Sequence, residues 1–332
     1  MILAGDVGGT KCNLGLLAKS GPLLRPVFQL RLPTRGYAGF DDLIGDFLER
    51  ARGSESFVDR PEIEAAGFGV AGVVVEGTLH AENLPWILDE AALARKLHLN
   101  RVVLLNDLTA TALSLEHLSS SDFAILNAGV PQANATKAVI AAGTGLGEAS
   151  LYWDGRQYRV APSEGGQAEF TPRGERQIQL LTYLNKFLPQ VSCEDIISGR
   201  GFRRIHEFVN PSVRHESFDV ADGDSAREIT QRGSEQSCPV CVESVRLWIE
   251  AYGAEAGNMV LRSVAFGGVY VAGGIAPKIL SKLCDGTFFR AFCGKSKFAE
   301  VLARVPLSVV VNEDAPVWGA AYQALSSSDC KT

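Results

Sequence analysis

Apolar residues along this chain fall into two spacings. Short unbroken runs read as buried strands, and stretches repeating at i, i+3, i+4 and i+7 read as helices. Residues 2–5 and 12–17 form two such runs around a turn at 6–10. Phe40, Leu43, Ile44, Phe47 and Leu48 then line one face of a helix over 38–52, which Gly53 ends. Residues 63–75 read as buried strands with a glycine-containing break. Residues 101–105 form a short strand, apolar from Val102 onward, that delivers Asn106 and Asp107 at its C-terminal end, and 107–118 continue as a helix.

The second half repeats this scheme. A strand over 138–142, a turn over 143–147 and a strand over 149–153 mirror the opening of the chain. Helices follow over 178–188 and 242–264, the latter carrying Val245, Trp248, Ile249, Tyr252, Ala256, Met259 and Val260 on its apolar stripe. Strands over 269–272 and 306–311 precede a last helix over 317–325, with Pro316 suited to its first turn. The two glycine-centred hairpins point to an internal duplication, two α/β lobes each built on the same start. Residues 211–240 are polar and read as a surface excursion.

The turns add chemistry to this pattern. Glycines cluster at Gly5, Gly8 and Gly9, at Gly143, Gly145 and Gly147, and at Gly273 and Gly274, each group set against strand-like sequence. Glycine supplies 34 of 332 residues, about 10% against the usual ~7%. Such turns bring backbone N–H groups close to anions such as phosphate. GDVGGTK is not a Walker loop, because its lysine follows the threonine. GTGLG is not a dinucleotide fingerprint, because Glu148 stands where the last glycine belongs and a strand follows. What remains is a strand–turn–strand phosphate loop with Asp6 at its first corner. That carboxylate either holds Mg²⁺ beside a triphosphate or caps the turn.

Asn106 and Asp107 lie where open α/β folds gather ligands, beyond the carboxyl end of a strand. Asp107 is either the acceptor of a substrate hydroxyl proton or the N-cap of the next helix.

A net charge of −6 argues against broad nucleic-acid contact or an acidic membrane surface. The apolar stretch 259–276 carries Arg262 and four glycines and does not read as membrane-spanning. No basic signal region opens the chain, and an odd number of cysteines, seven, is scattered through it. The expectation is a reduced, cytoplasmic protein. Cys238-Pro-Val-Cys241 is half of a zinc motif with no second pair, and the histidines at 80, 98, 117, 206 and 215 show no ligand spacing, so these cysteines read as ordinary free thiols.

Taken in order, GDVGGT (5–10), ENLPW (82–86), LLNDLTA (104–110), GTGLG (143–147), SEGGQAEF (163–170), SCEDIISGRG (192–201), FGGVYVAGGIAP (266–277) and the GAA of the last helix (319–321) span nearly the whole chain. This set closely resembles the bacterial ATP-dependent glucokinases, within the hexokinase, actin and heat-shock ATPase superfamily. The resemblance implies a two-lobed actin-like ATPase (ribonuclease H-like) α/β fold with a cleft between the lobes. It implies a small domain over 1–113, a large domain over 114–314, and a C-terminal helix, 315–332, returning to the small one. It implies transfer of a phosphoryl group from ATP to D-glucose, with Mg²⁺, frequently in a homodimer.

It assigns Asp107 as the base for the sugar 6-hydroxyl, with Asn106, Glu164, Gln167 and Glu194 on the other hydroxyls. Gly5, Asp6, Val7, Gly8, Gly9 and Thr10, then Gly143, Thr144 and Gly145, then Gly273 and Gly274, face the nucleotide. Two positions depart from the family. Gln167 stands where histidine is usual, which opens the reading of another hexose (mannose, fructose or an amino sugar). Lys11 stands where asparagine is common, as in the related repressor–kinase sugar kinases, whose cysteine-rich zinc motif is not present here. A sugar-sensing regulator on the same fold is disfavoured by the acidic charge and by a first strand that starts at residue 2.

Overall fold

The opening runs fold as a hairpin, β1 (Ile2–Val7) and β2 (Lys11–Ser20), extended by β3 (Leu23–Pro33). After α1 (Phe40–Arg52) come β4 (Ala65–Val70), a separate hairpin of β5 (Val73–Val75) and β6 (Thr78–His80), α2 (Glu90–Lys96), β7 (Val102–Asn106) and α3 (Asp107–Ser114). The sheet order is β3-β2-β1-β4-β7. The β1/β2 and β2/β3 pairs are antiparallel, and β1/β4 and β4/β7 are parallel. These coordinates are a computed structural model that describes residues 1–21, 23–54, 62–80, 84, 86–220 and 224–326. Glu82, Asn83 and Pro85 of the ENLPW segment lie outside the described residues.

Period-two alternation gives this sheet two apolar faces. Leu3 and Val7 of β1 join Phe40, Leu43, Ile44 and Phe47 of α1 in one core. Ile2 and Ala4 join Val317, Ala321 and Ala324 of the chain's last helix in another. That helix approaches through Gly319, where an added Cβ would stand 1.7 Å from the Ala110 carbonyl oxygen of α3.

The second unit, Ser121–Val311, is built on β8 (Phe123–Asn127), β9 (Lys137–Ala142), β10 (Leu146–Trp153) and β11 (Tyr158–Ser163). Five helices follow: α4 (Gly174–Leu184), α5 (Cys193–Ile196), α6 (Gly199–Val209), α7 (Ser225–Ser234) and α8 (Pro239–Ser263). Then come β12 (Gly268–Ala272), α9 (Leu280–Leu283), α10 (Thr287–Cys293), α11 (Ala299–Ala303) and β13 (Leu307–Val310). The chain then re-enters the first unit as α12 (Ala315–Ser326).

The second sheet runs β11-β10-β9-β12-β13-β8. Its first five strands repeat the pairing senses of the first sheet: two antiparallel contacts, then two parallel. The duplication read from the glycine hairpins is therefore present in the topology, with β1 corresponding to β9 and β2 to β10. The long helix α8 carries the core. Trp248 stacks on Phe202 at 4.5 Å between ring centroids, and the Tyr252 hydroxyl donates to the Ile140 carbonyl at 3.1 Å.

The structure departs from the sequence reading at five points. The strand β3 was not anticipated, because its side chains are mostly half-buried or exposed. β5 is not buried, and Val73 and Val75 are each 51% exposed, because β5 and β6 form a hairpin outside the main sheet. The helix expected over 178–188 begins at Gly174, where polar residues hide its first turn, and the one expected to reach 118 ends at Ser114. Residues 211–240 are not a simple excursion. They contain α7, whose Ile229 is fully buried in the core of this unit.

Candidate active site

In the first unit the parallel register does the positioning. Asp6 of β1 lies opposite Gly69 of β4, and Val70 of β4 opposite Asn106 of β7. Asp6 and Asp107 therefore leave one sheet edge two strands apart, with a residue that has no side chain between them. Gly69 has no room for one, since an added Cβ would stand 2.9 Å from Ala110 Cβ. Burial pushes the Asp6 carboxyl up to about 6, and the negative charge of Asp107 is the next largest cause. Lys11 and Arg31 pull it the other way.

The helix that follows is capped by Asn106, whose Oδ1 accepts from the N–H groups of Leu108 at 3.0 Å and Thr109 at 3.2 Å. Asn106 Nδ2 donates to the Gly72 carbonyl at 3.0 Å. So the capping role is taken by Asn106 rather than Asp107. The half-buried Asp107 accepts from the Leu108 N–H at 2.8 Å.

The turn at Gly8, Gly9 and Thr10 is closed by a bond from the Gly8 N–H to the Lys11 carbonyl at 3.1 Å, and Thr34 Oγ1 donates to the Gly8 carbonyl. Thr10 and Lys11 stand exposed at its tip. Beside it, Asp314 accepts from Asn13 Nδ2 at 2.7 Å and Arg31 Nη2 at 3.3 Å. The carboxylates of Asp6 and Asp107, the first held toward its neutral form, offer hard oxygen donors. That donor set fits a divalent cation such as Mg²⁺.

In the second unit three motifs share a corner. Gly143, Thr144 and Gly145 form the turn between β9 and β10, with the Gly143 N–H donating to the Gly145 carbonyl at 2.9 Å. Gly273, at φ +86°, follows β12 beside β9. A Cβ there would stand 2.4 Å from the Ala142 carbonyl oxygen, so the Gly273-Gly274 turn lies directly against the start of the Gly143 turn. Glu194, in the first turn of α5, accepts from the Leu146 N–H at 3.0 Å and pairs with Arg200 at 3.1 Å. Glu164 and Gln167 are exposed on a short 3₁₀ turn. Below that turn, burial and the nearby Glu255 raise the carboxyl of Glu148 to about 7. Glu148 carried no signal in the sequence beyond its place after GTGLG.

A second cluster escaped the sequence reading. His206 of α6, His215, Cys238 and Cys241 each offer a ligand atom, and all four atoms lie within 4.8 Å of one another. This corrects the expectation that Cys238 and Cys241 lack a second pair. The fold supplies one from histidines that are distant in sequence. Burial holds the His206 imidazole down at about 4, hence neutral.

A glucokinase family model matches residues 3–327. A glucokinase of Nostoc sp. is 35% identical, with 98% of each chain covered. Among solved structures, a glucokinase from an Antarctic psychrotroph matches with a TM-score of 0.84 at 24% identity over 98% of both chains. A ROK family glucokinase from Streptomyces griseus, in complex with glucose and AMPPNP, matches with a TM-score of 0.65 at 21% identity, covering 98% of this chain and 99% of that one.

Proposed function

The chain belongs to the glucokinase family of ATP-dependent hexose kinases, and we propose that it transfers the γ-phosphoryl group of ATP to the 6-hydroxyl of D-glucose, giving glucose 6-phosphate and ADP. The observation that carries this reading is the placement of Asp6 and Asp107 at one sheet edge across Gly69. Asp107 accepts the proton of the sugar 6-hydroxyl as its oxygen bonds to the γ-phosphorus. The bond to the β–γ bridging oxygen breaks, ADP leaves, and the proton passes from Asp107 to solvent. A positioned base of this kind contributes ~10²–10⁴-fold in rate.

Asn106, Glu164, Gln167 and Glu194 hold the remaining hydroxyls, since carboxylates accept from vicinal hydroxyl pairs. Backbone N–H groups of residues 5–10, 143–145 and 273–274 cradle the phosphates. Asp6 would hold Mg²⁺, directly or through water, and the ion would supply charge neutralisation at the phosphates.

The finer organisation belongs to the same proposal: a two-lobed actin-like enzyme with domains over 1–113 and 114–314, a returning helix over 315–332, and both substrates bound in a cleft that excludes water. A cytoplasmic homodimer completes it. No helix among the described residues is long and apolar enough to cross a membrane.

Gln167 favours one competing reading, a kinase for a different hexose. Initial rates with ATP across glucose, mannose, fructose and glucosamine, read as ADP formed, separate the two. Glucose is expected to give the highest kcat/KM. A higher value for another sugar would move the assignment to that hexose, and no turnover with any would refute the reading.

A further inference from the structure

We propose that His206, His215, Cys238 and Cys241 form a structural Zn²⁺ site that ties the segment following α6 to the start of α8. The four residues come from three places: the last turn of α6, the loop before α7, and the first turn of α8. Their ligand atoms already lie within 4.8 Å of one another. His215 Nε2 is 3.1 Å from Cys241 Sγ. In a tetrahedral site with Zn–S near 2.3 Å and Zn–N near 2.0–2.1 Å, neighbouring ligand atoms stand about 3.3–3.8 Å apart. Closing the cluster on an ion therefore asks for shifts on the order of 1 Å, within reach of side-chain rotation.

Independent observations point to a missing ligand. His206 is fully buried, and neither of its ring nitrogens has a hydrogen-bond partner. Leaving such groups buried and unpaired is destabilising. Coordination would satisfy one of them. Cys241 is also fully buried and Cys238 nearly so. Cys238 is the N-cap of a 25-residue helix and makes no side-chain capping bond. Phe218 packs edge-on against both imidazoles.

The donor set also selects the ion. Two thiolates and two neutral imidazoles balance a dication, and a tetrahedral S₂N₂ set is typical of zinc. With four protein ligands no position stays open for substrate, so the role is to fasten and not to catalyse.

The test is metal content. The full chain, expressed with zinc and purified under reducing conditions without chelators, should carry ~1 zinc per chain by mass spectrometry. His215→Ala and Cys238→Ser should each lose it, while Cys284→Ser, an exposed cysteine away from the cluster, should keep it. Co²⁺ exchanged into the protein should show the absorption of a tetrahedral thiolate complex, absent in His215→Ala. That variant alters a half-exposed loop residue, so a native circular-dichroism spectrum will show that it folds. Zinc extraction should lower the melting temperature of the wild type but not of His215→Ala. Wild-type protein that is metal-free and takes up neither ion, or that holds Cys238 and Cys241 as a disulfide, would overturn the proposal. So would zinc retained by both ligand variants.

Discussion

Replacing Asp6 with asparagine should make the substrate-free protein more stable while disabling it. The carboxyl titrates near 3.8 when unfolded and at about 6 when folded, because burial and then the negative charge of Asp107 oppose its ionisation. At 1.36 kcal/mol per unit, that gap amounts to about 3 kcal/mol. The sign follows from proton binding. Between the two values the native state holds more protons than the unfolded chain, so stability falls as pH rises from about 4 to about 6, and the whole loss stands above that. Asn has nearly the same shape and no charge.

Urea unfolding of wild type and Asp6→Asn should therefore show a gain of roughly 1 kcal/mol near pH 4.5 that grows to about 3 kcal/mol near pH 8. Phosphoryl transfer should collapse in the same variant. In an Asp107→Asn background the gain should shrink, since the second cause has been removed. A gain that is equal at both pH values, or a loss at pH 8, would refute the reasoning about this pair.

Two further changes probe the frame and the second unit. Gly319→Ala places a Cβ 1.7 Å from the Ala110 carbonyl oxygen, so α12 must move off α3. A loss of roughly 3 kcal/mol or more is expected in thermal unfolding, and a melting temperature within a degree or two of wild type would contradict the close contact. Glu194→Gln keeps an oxygen for the Leu146 N–H but loses the ion pair with Arg200. The KM for glucose should rise roughly 10-fold or more with a smaller change in the KM for ATP, as expected for a lost charge-assisted sugar contact. Unchanged glucose affinity would confine Glu194 to supporting the turn.

Much of the frame was legible because apolar runs bounded by glycine turns leave little choice. β1, β7, β9 and β12 are nearly continuous apolar segments, and α1 and α8 carry long helical stripes. What stayed hidden lacked that contrast. The edge strand β3 alternates weakly, and α7 buries only Ile229 and Gly233 among polar neighbours. The candidate site stands in the sequence as residue types but not as a constellation. That Asp6 faces Asp107 depends on the parallel register that sets Asp6 beside Gly69 and Val70 beside Asn106, and a register between distant strands has no local signal. The His206–His215–Cys238–Cys241 cluster is the extreme case. It exists only because α6 and α8 pack together, and neither histidine spacing nor the single Cys pair announces it.

Rapid-quench phosphoryl transfer in Asp107→Asn, with glucose binding measured on the same protein by calorimetry, decides whether Asp107, beyond the end of β7, takes the proton of the attacking hydroxyl. The expected result is a fall in the transfer rate of ~10²–10⁴-fold with glucose affinity close to wild type. Transfer at near-normal speed with glucose bound would contradict the account.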